Sequence, residues 1–215
     1  MELHDLTQYL QRLPAVERRV PVTFDRERFK IGSHTEVIAT LMARLSPVTA
    51  ELVGNPAVVL ILVYPHDGTS TVLMTRRAAT LRHHPREVSF PGGAAEPGET
   101  LAQTALRETY EEVGIEPADV ELIGLLGSGA VRVSGRSFSC VVGHAPTRPS
   151  IRTSIDEVEE VVELPLSIVG SSDYFSELWY SNSMGWGLFH FFVRRPDLIW
   201  GASARLLVDL LAILE

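Results

Sequence analysis

GAAEPGETLAQTALRETYEEVGI, from Gly93 to Ile115, carries the most closely spaced pattern of glycines and carboxylates in the chain. Ala102, Ala105, Leu106, Thr109 and Val113 recur at helical spacing, so a helix is expected over about 100–113 with these residues as its buried stripe. Gly114 stands where helices commonly end. Glu108, Glu111 and Glu112 lie three and four residues apart and share one edge of that helix. Like charges at this spacing weaken an isolated helix. A hard divalent cation is the natural counterweight. Oxygen-only ligands suit Mg²⁺ or Mn²⁺, and no His or Cys donor is interleaved. A solvated acidic face is the plainer explanation for an arbitrary Glu-x-x-Glu-Glu run. Here the run follows a Gly-Gly loop and an apolar strand, which favours the metal.

Working outward, Ala57 to Tyr64 is an unbroken apolar run and reads as a buried strand. His66-Asp67-Gly68 is a turn and Thr71 to Thr75 the returning strand of a hairpin. Arg76 to Arg86 is basic, and Glu87 to Phe90 is a short strand leading into Pro91-Gly92-Gly93. Downstream, Val120 to Leu126 and Phe138 to His144 are strands. Asp156 to Val162 leads to Pro165 and a short turn or helix. Strands are expected within Trp179 to Val193, and Ala202 to Leu214 is an apolar helix. Upstream, Leu3, Leu6, Leu10 and Leu13 recur at helical spacing before Pro14, and a second helix runs from about Glu36 to Leu45. These assign residues 1–50 to an N-terminal helical extension and 51–215 to the main domain, of α+β class. The extension reads as core covering, with a homodimer arm as the alternative.

The formal net charge is -8, which argues against a general nucleic-acid binder. The longest apolar run is far too short to span a bilayer. One cysteine, Cys140, excludes an internal disulfide and suits a reducing, cytoplasmic setting. A phosphorylated small molecule is the expected partner.

Gly93-x5-Glu99-x7-Arg107-Glu108-x-x-Glu111-Glu112-x-Gly114-Ile115 resembles the Nudix box, a loop–helix–loop that holds catalytic divalent ions against a diphosphate. Every polar and glycine position of the pattern is filled, and Thr109 stands where an aliphatic residue is usual. The resemblance implies a Nudix fold, a mixed β-sheet sandwiched between helices (α/β/α). It implies Glu108 and Glu112 as principal metal ligands, Glu111 as a further ligand or activator of water, and the Gly92 carbonyl as another oxygen. Arg107 is expected to brace the loop through Glu99. Glu157 and Glu160 are the candidates for a proton acceptor outside the box.

Leu73-Met74-Thr75-Arg76-Arg77-Ala78-x3-Arg82-x3-Arg86-x3-Phe90-Pro91-Gly92-Gly93 is similar to the extra motif of the coenzyme A pyrophosphatase branch of that superfamily. Arg77, Ala78 and Arg82 fall at matching positions. The resemblance implies hydrolysis of CoA or acyl-CoA to 3′,5′-ADP and (acyl-)4′-phosphopantetheine, with Arg76, Arg77, Arg82 and Arg86 binding substrate. Arginine forks suit the diphosphate and the separate 3′-phosphate of CoA. The sequence departs from the branch at Arg86, where Gly is usual, at Glu87 and at Arg136. Two alternatives stand beside this reading. One is a Nudix hydrolase of another nucleoside diphosphate derivative, such as ADP-ribose or a dinucleotide. The other is a catalytically silent Nudix fold that senses a ligand.

Overall fold

The computed structural model describes residues 16–17, 31–48, 57–130, 137–169, 175–182, 185–194 and 197–215. The helix expected over Leu3 to Leu13, the boundary near residue 50, and Arg136 all lie outside them. The elements begin with β1 (Val16–Glu17), α1 (His34–Arg44), β2 (Ala57–His66), β3 (Thr69–Arg77), β4 (Val88–Ser89) and β5 (Gly92–Ala94). They continue with α2 (Leu101–Val113), β6 (Glu121–Ala130), β7 (Ser137–His144), β8 (Val158–Pro165) and α3 (Leu166–Val169). The last are β9 (Phe175–Asn182), β10 (Gly185–Arg194), β11 (Asp197–Trp200) and α4 (Gly201–Leu214).

The β2–β3 hairpin turns through Asp67 (φ 47°) and Gly68 (φ 75°). Two consecutive left-handed residues match the right-handed twist of the flanking strands. The hairpin is the centre of a seven-stranded sheet ordered β4-β3-β2-β7-β6, with β5 also paired to β2 and β8 to β3. β2 and β7 run parallel, whereas the other pairs are antiparallel, so the sheet is mixed. Side chains of β2 alternate between the two faces. Val58, Leu60, Leu62 and Tyr64 pack with Leu101, Ala105 and Val113 of α2. Ile61 and Val63 pack with Ile38 and Leu41 of α1 and with Leu207 and Leu211 of α4. Helices on both faces of a mixed sheet make the expected α/β/α sandwich.

Local chemistry sets the helix ends. α1 begins earlier than its apolar periodicity indicates, because Ser33 and Glu36 form a capping box. α2 is capped the same way by Thr100 and Gln103, and Gly114 closes it in the left-handed conformation. The buried stripe of α2 is broader than the spacing suggests. Leu101, Thr104 and Glu112 are buried in it, while Ala102 and Leu106 are only half-buried. Thr109 is buried, and its hydroxyl donates to the Ala105 carbonyl at 2.8 Å. That bond satisfies the polar atom that a usual aliphatic residue would not carry.

The strands expected within Trp179 to Val193 are β9 and β10, which form a separate antiparallel sheet with β1 and β11. An ion pair ties it to the main sheet. Arg76 at the end of β3 donates from Nη2 to Asp197 of β11, and from Nε to Glu160 of β8 at 3.2 Å. The Arg76 and Asp197 side chains are only 15% and 12% exposed. Removing one partner strands the other charge away from water. Arg76→Met is therefore expected to cost about 3 kcal/mol in urea unfolding, and Arg76→Met with Asp197→Leu to recover most of that loss.

Candidate active site

The site is built where β5 meets α2. Gly92 has φ 155° and lies so close to β2 that a Cβ there would overlap the Val58 carbonyl. Gly93 is pressed against the Glu108 carboxylate, and any Cβ would occupy the same space. The Gly-Gly pair is thus a close-approach device: it lets a helix carboxylate lie directly on strand backbone.

Arg107 organises the loop–helix junction. Its Nε and Nη2 bind Glu99 at 2.7 and 3.0 Å in a fork, while Nη2 also donates to the Ala94 carbonyl at 3.1 Å. Its Nη1 donates to Glu108 at 2.8 Å and to Glu111 at 2.9 Å. A planar guanidinium can serve so many acceptors because its five donors are fixed in one fork. The hydrogen bonds from Arg107 hold the Glu99 carboxyl down to about 2. Thr104, buried in α2, also donates to Glu99 at 2.8 Å. Sequence reasoning passed over Thr104; its position five residues after Glu99, one turn into a helix that follows a loop, was the available signal.

The three glutamates of the helix do not share one environment. Glu111 is exposed, Glu108 is mostly covered, and Glu112 is only 4% exposed. Burial pushes the Glu112 carboxyl up to about 8; Arg77 opposes this, and Glu157 and Glu108 add to it. The Gly92 backbone opposes the rise as well. Burial raises the Glu108 carboxyl too, against the pull of Arg107. Glu157 adds to the rise of both groups, and its N–H bonds the carbonyl of Ser154, whose own N–H bonds the Glu112 carbonyl at 2.8 Å. Glu160 is directed elsewhere, to Arg76.

These donors fit a hard divalent cation. The candidate donors are carboxylates and a backbone carbonyl, with no His or Cys among them, and the burial of Glu108 and Glu112 side by side leaves like charge to be answered. Among the described residues no three acidic, His or Cys side chains converge on one point, and the Arg107 Nη1 group stands between Glu108 and Glu111.

The four arginines expected at the substrate are dispersed. Arg77 is half-buried and faces Glu112, and its Nε is buried without a hydrogen-bond partner. Arg76 has its guanidinium engaged by Glu160 and Asp197. Arg82 and Arg86 are exposed on the loop after β3. That loop is pinned by Arg77 N–H to the Glu87 carbonyl and Arg86 N–H to the Arg77 carbonyl, both 3.0 Å. Arg86 has φ 61°. The left-handed conformation that glycine adopts freely is therefore retained here by arginine, at a cost of about 1–2 kcal/mol.

The Glu99–Arg107 fork generates an acid-limb prediction. A carboxylate with a depressed pKa stabilises the fold above its unfolded value, and that support fades as pH falls through the unfolded value towards about 2. Glu99→Gln is expected to lower Tm at pH 7. It should also flatten the loss of Tm that the unaltered chain shows between about pH 4.5 and pH 2, as followed by circular dichroism. An unchanged slope in the variant would remove Glu99 from the acid response.

Comparison with known proteins agrees with this architecture. The model of the NUDIX domain matches residues 54–173. "Nudix hydrolase 3" of Caenorhabditis elegans is 40% identical over 111 residues, covering 50% of this chain and 46% of that protein. The chain thus spans about half the length of that relative. A Pectobacterium atrosepticum protein described as the uncharacterized Nudix hydrolase NudL is 36% identical over 147 residues, 61% of this chain and 76% of that one. Among solved structures, a binary complex of C. elegans Ap4A hydrolase is 21% identical with a TM-score of 0.45, covering 55% of this chain and 86% of that one. With the domain model matched over more than half its length, across the box and the sheet that carries it, the chain belongs to the Nudix domain family.

Proposed function

We propose that the chain hydrolyses the diphosphate of coenzyme A or an acyl-CoA, using Mg²⁺ or Mn²⁺, to give 3′,5′-ADP and (acyl-)4′-phosphopantetheine. The observation that carries this reading is the position of Arg77. It belongs to the segment that resembles the CoA pyrophosphatase motif, it faces the buried Glu112, and its Nε is an unsatisfied buried donor. A phosphate oxygen is a suitable acceptor for it.

In this reading Glu108 and Glu112, with Glu111 and the Gly92 carbonyl, hold the cation. When bound, the cation neutralises phosphate charge and lowers the pKa of water. Arg77 binds and orients the diphosphate beside these carboxylates. Arg82, exposed on the loop after β3, is assigned to the 3′-phosphate. Arg107 keeps Glu108 in place and does not touch substrate. Of the two carboxylates outside the box, Glu157 is assigned as proton acceptor, because it lies with Glu108 and Glu112 whereas Glu160 is committed to Arg76. A second reading, hydrolysis of ADP-ribose or another nucleoside diphosphate derivative, is favoured by Arg86, which replaces the glycine usual in the CoA branch.

Glu157→Gln is expected to lower kcat about 10²–10⁴-fold with the fold intact by circular dichroism, whereas Glu160→Gln should leave kcat within a few-fold. Equal effects of the two substitutions would remove the assignment. The substrate is tested by product analysis with CoA, 3′-dephospho-CoA and ADP-ribose side by side, in Mg²⁺ and in Mn²⁺. Release of 3′,5′-ADP, with CoA preferred over its dephospho form, is the expected result. Turnover of ADP-ribose with CoA untouched favours the second reading, and no turnover of any diphosphate favours a ligand sensor.

A further inference from the structure

Beside the carboxylates lies a groove of about 560 Å³. Ala78, Ala79 and Thr80, on the loop after β3, form one wall; Thr153, Ile155 and Val158, on the segment entering β8, form the other. The two walls are joined at the base by a hydrogen bond from the Ala78 N–H to the Glu157 carbonyl, 2.8 Å long. The second wall is also held to α2, because the N–H of Ser154, between Thr153 and Ile155, bonds the Glu112 carbonyl at 2.8 Å; the groove thus borders the candidate active site. Arg77 precedes one wall and Glu157 interrupts the other.

Its chemistry differs from that of a phosphate or base pocket. Arg86 and Glu159 both line it and lie 3.7 Å apart, so the rim carries compensating charges. Among the described residues no aromatic ring lines it, which leaves a nucleobase without the stacking partner such sites ordinarily provide. What it offers is methyl and methylene surface with hydroxyls from Thr80 and Thr153. Ile155 stands out. It is 87% exposed in an otherwise polar run, Thr153-Ser154-Ile155-Asp156-Glu157, and is one of three exposed large hydrophobics among the described residues.

Resting on the proposed function, we infer that this groove seats the uncharged arm on the non-nucleotide side of the scissile diphosphate. That arm is a flexible chain of amide and aliphatic groups, and Ile155 is the apolar wall that selects for it. Contact with such a chain removes Ile155 from water only in the complex, so its side chain contributes to substrate binding and not to folding. The capacity of the groove matches the range in which small-molecule sites fall. Ile155 is in this assignment a specificity-determining residue.

The test compares the unaltered chain with Ile155→Ser, using hexanoyl-CoA as substrate and 3′,5′-ADP as a competing product that carries the nucleotide half alone. Because Ile155 is exposed, the variant is expected to keep its Tm. The expected result is a fall of about tenfold in kcat/KM for hexanoyl-CoA, carried by KM, with kcat and the inhibition constant of 3′,5′-ADP unchanged. An equal weakening of 3′,5′-ADP would place the nucleotide in the groove and overturn the inference, as would an unchanged KM. If the unaltered chain hydrolyses neither CoA nor hexanoyl-CoA, the proposed function has failed and this inference falls with it. If it hydrolyses both and Ile155→Ser is silent, the proposed function stands and this inference alone is lost.

Discussion

The guanidinium of Arg107 is the constraint on which the site depends. Four acidic side chains, Glu99, Glu108, Glu111 and Glu112, are gathered within one turn of loop and four turns of helix, and their mutual repulsion works against the helix that presents them. Arg107 answers three of the four directly and holds the Ala94 carbonyl as well. One cation thereby fixes where the loop leaves β5, where the helix starts and where Glu108 lies. Glu112 is the exception. It is buried on the sheet side of the helix, where Arg77 rather than Arg107 provides the opposing charge. The two arginines divide the carboxylates between three that are outer and braced and one that is inner.

This division explains why a glycine pair precedes the helix. Glu108 can lie against strand backbone only where no Cβ intervenes, at Gly93, and the strand can run that close to β2 only through Gly92. Backbone proximity, helix phase and charge pairing are consequences of one requirement: to hold carboxylates rigidly at the edge of an apolar sheet.

Much of this was legible in the sequence. The hairpin at Asp67-Gly68, the continuous apolar run of β2 and the end of α2 at Gly114 are local signals, and local signals survive folding. The start of α1 was displaced because Ser33 and Glu36 cap it outside its apolar stripe. The burial of Glu112 was hidden, since helical spacing alone puts it on the same edge as Glu108 and Glu111, and only the sheet shows which side is inside. The partner of Arg76 was equally hidden. Asp197 is distant in sequence, and nothing near either residue announces the pairing. The groove wall at Ile155 was readable only as an apolar residue in a polar run, a pattern without meaning until β8 is placed beside β3.

The parallel pairing of β2 with β7 has a consequence for how the chain reaches this state. β2 lies at the middle of the sheet, yet its neighbour on one side is β7, whose paired residues come more than eighty positions later, and most of β3 must wait longer still for β8. Among the pairings of β2, only the hairpin with β3 joins strands adjacent in sequence. Loop closure over such separations costs entropy before any contact compensates for it, and proteins dominated by distant pairings cross their folding barrier slowly. During synthesis the apolar hairpin is therefore complete well before the strands that cover its edges exist, and the interval between them is the time when this chain is most exposed to association with its own copies.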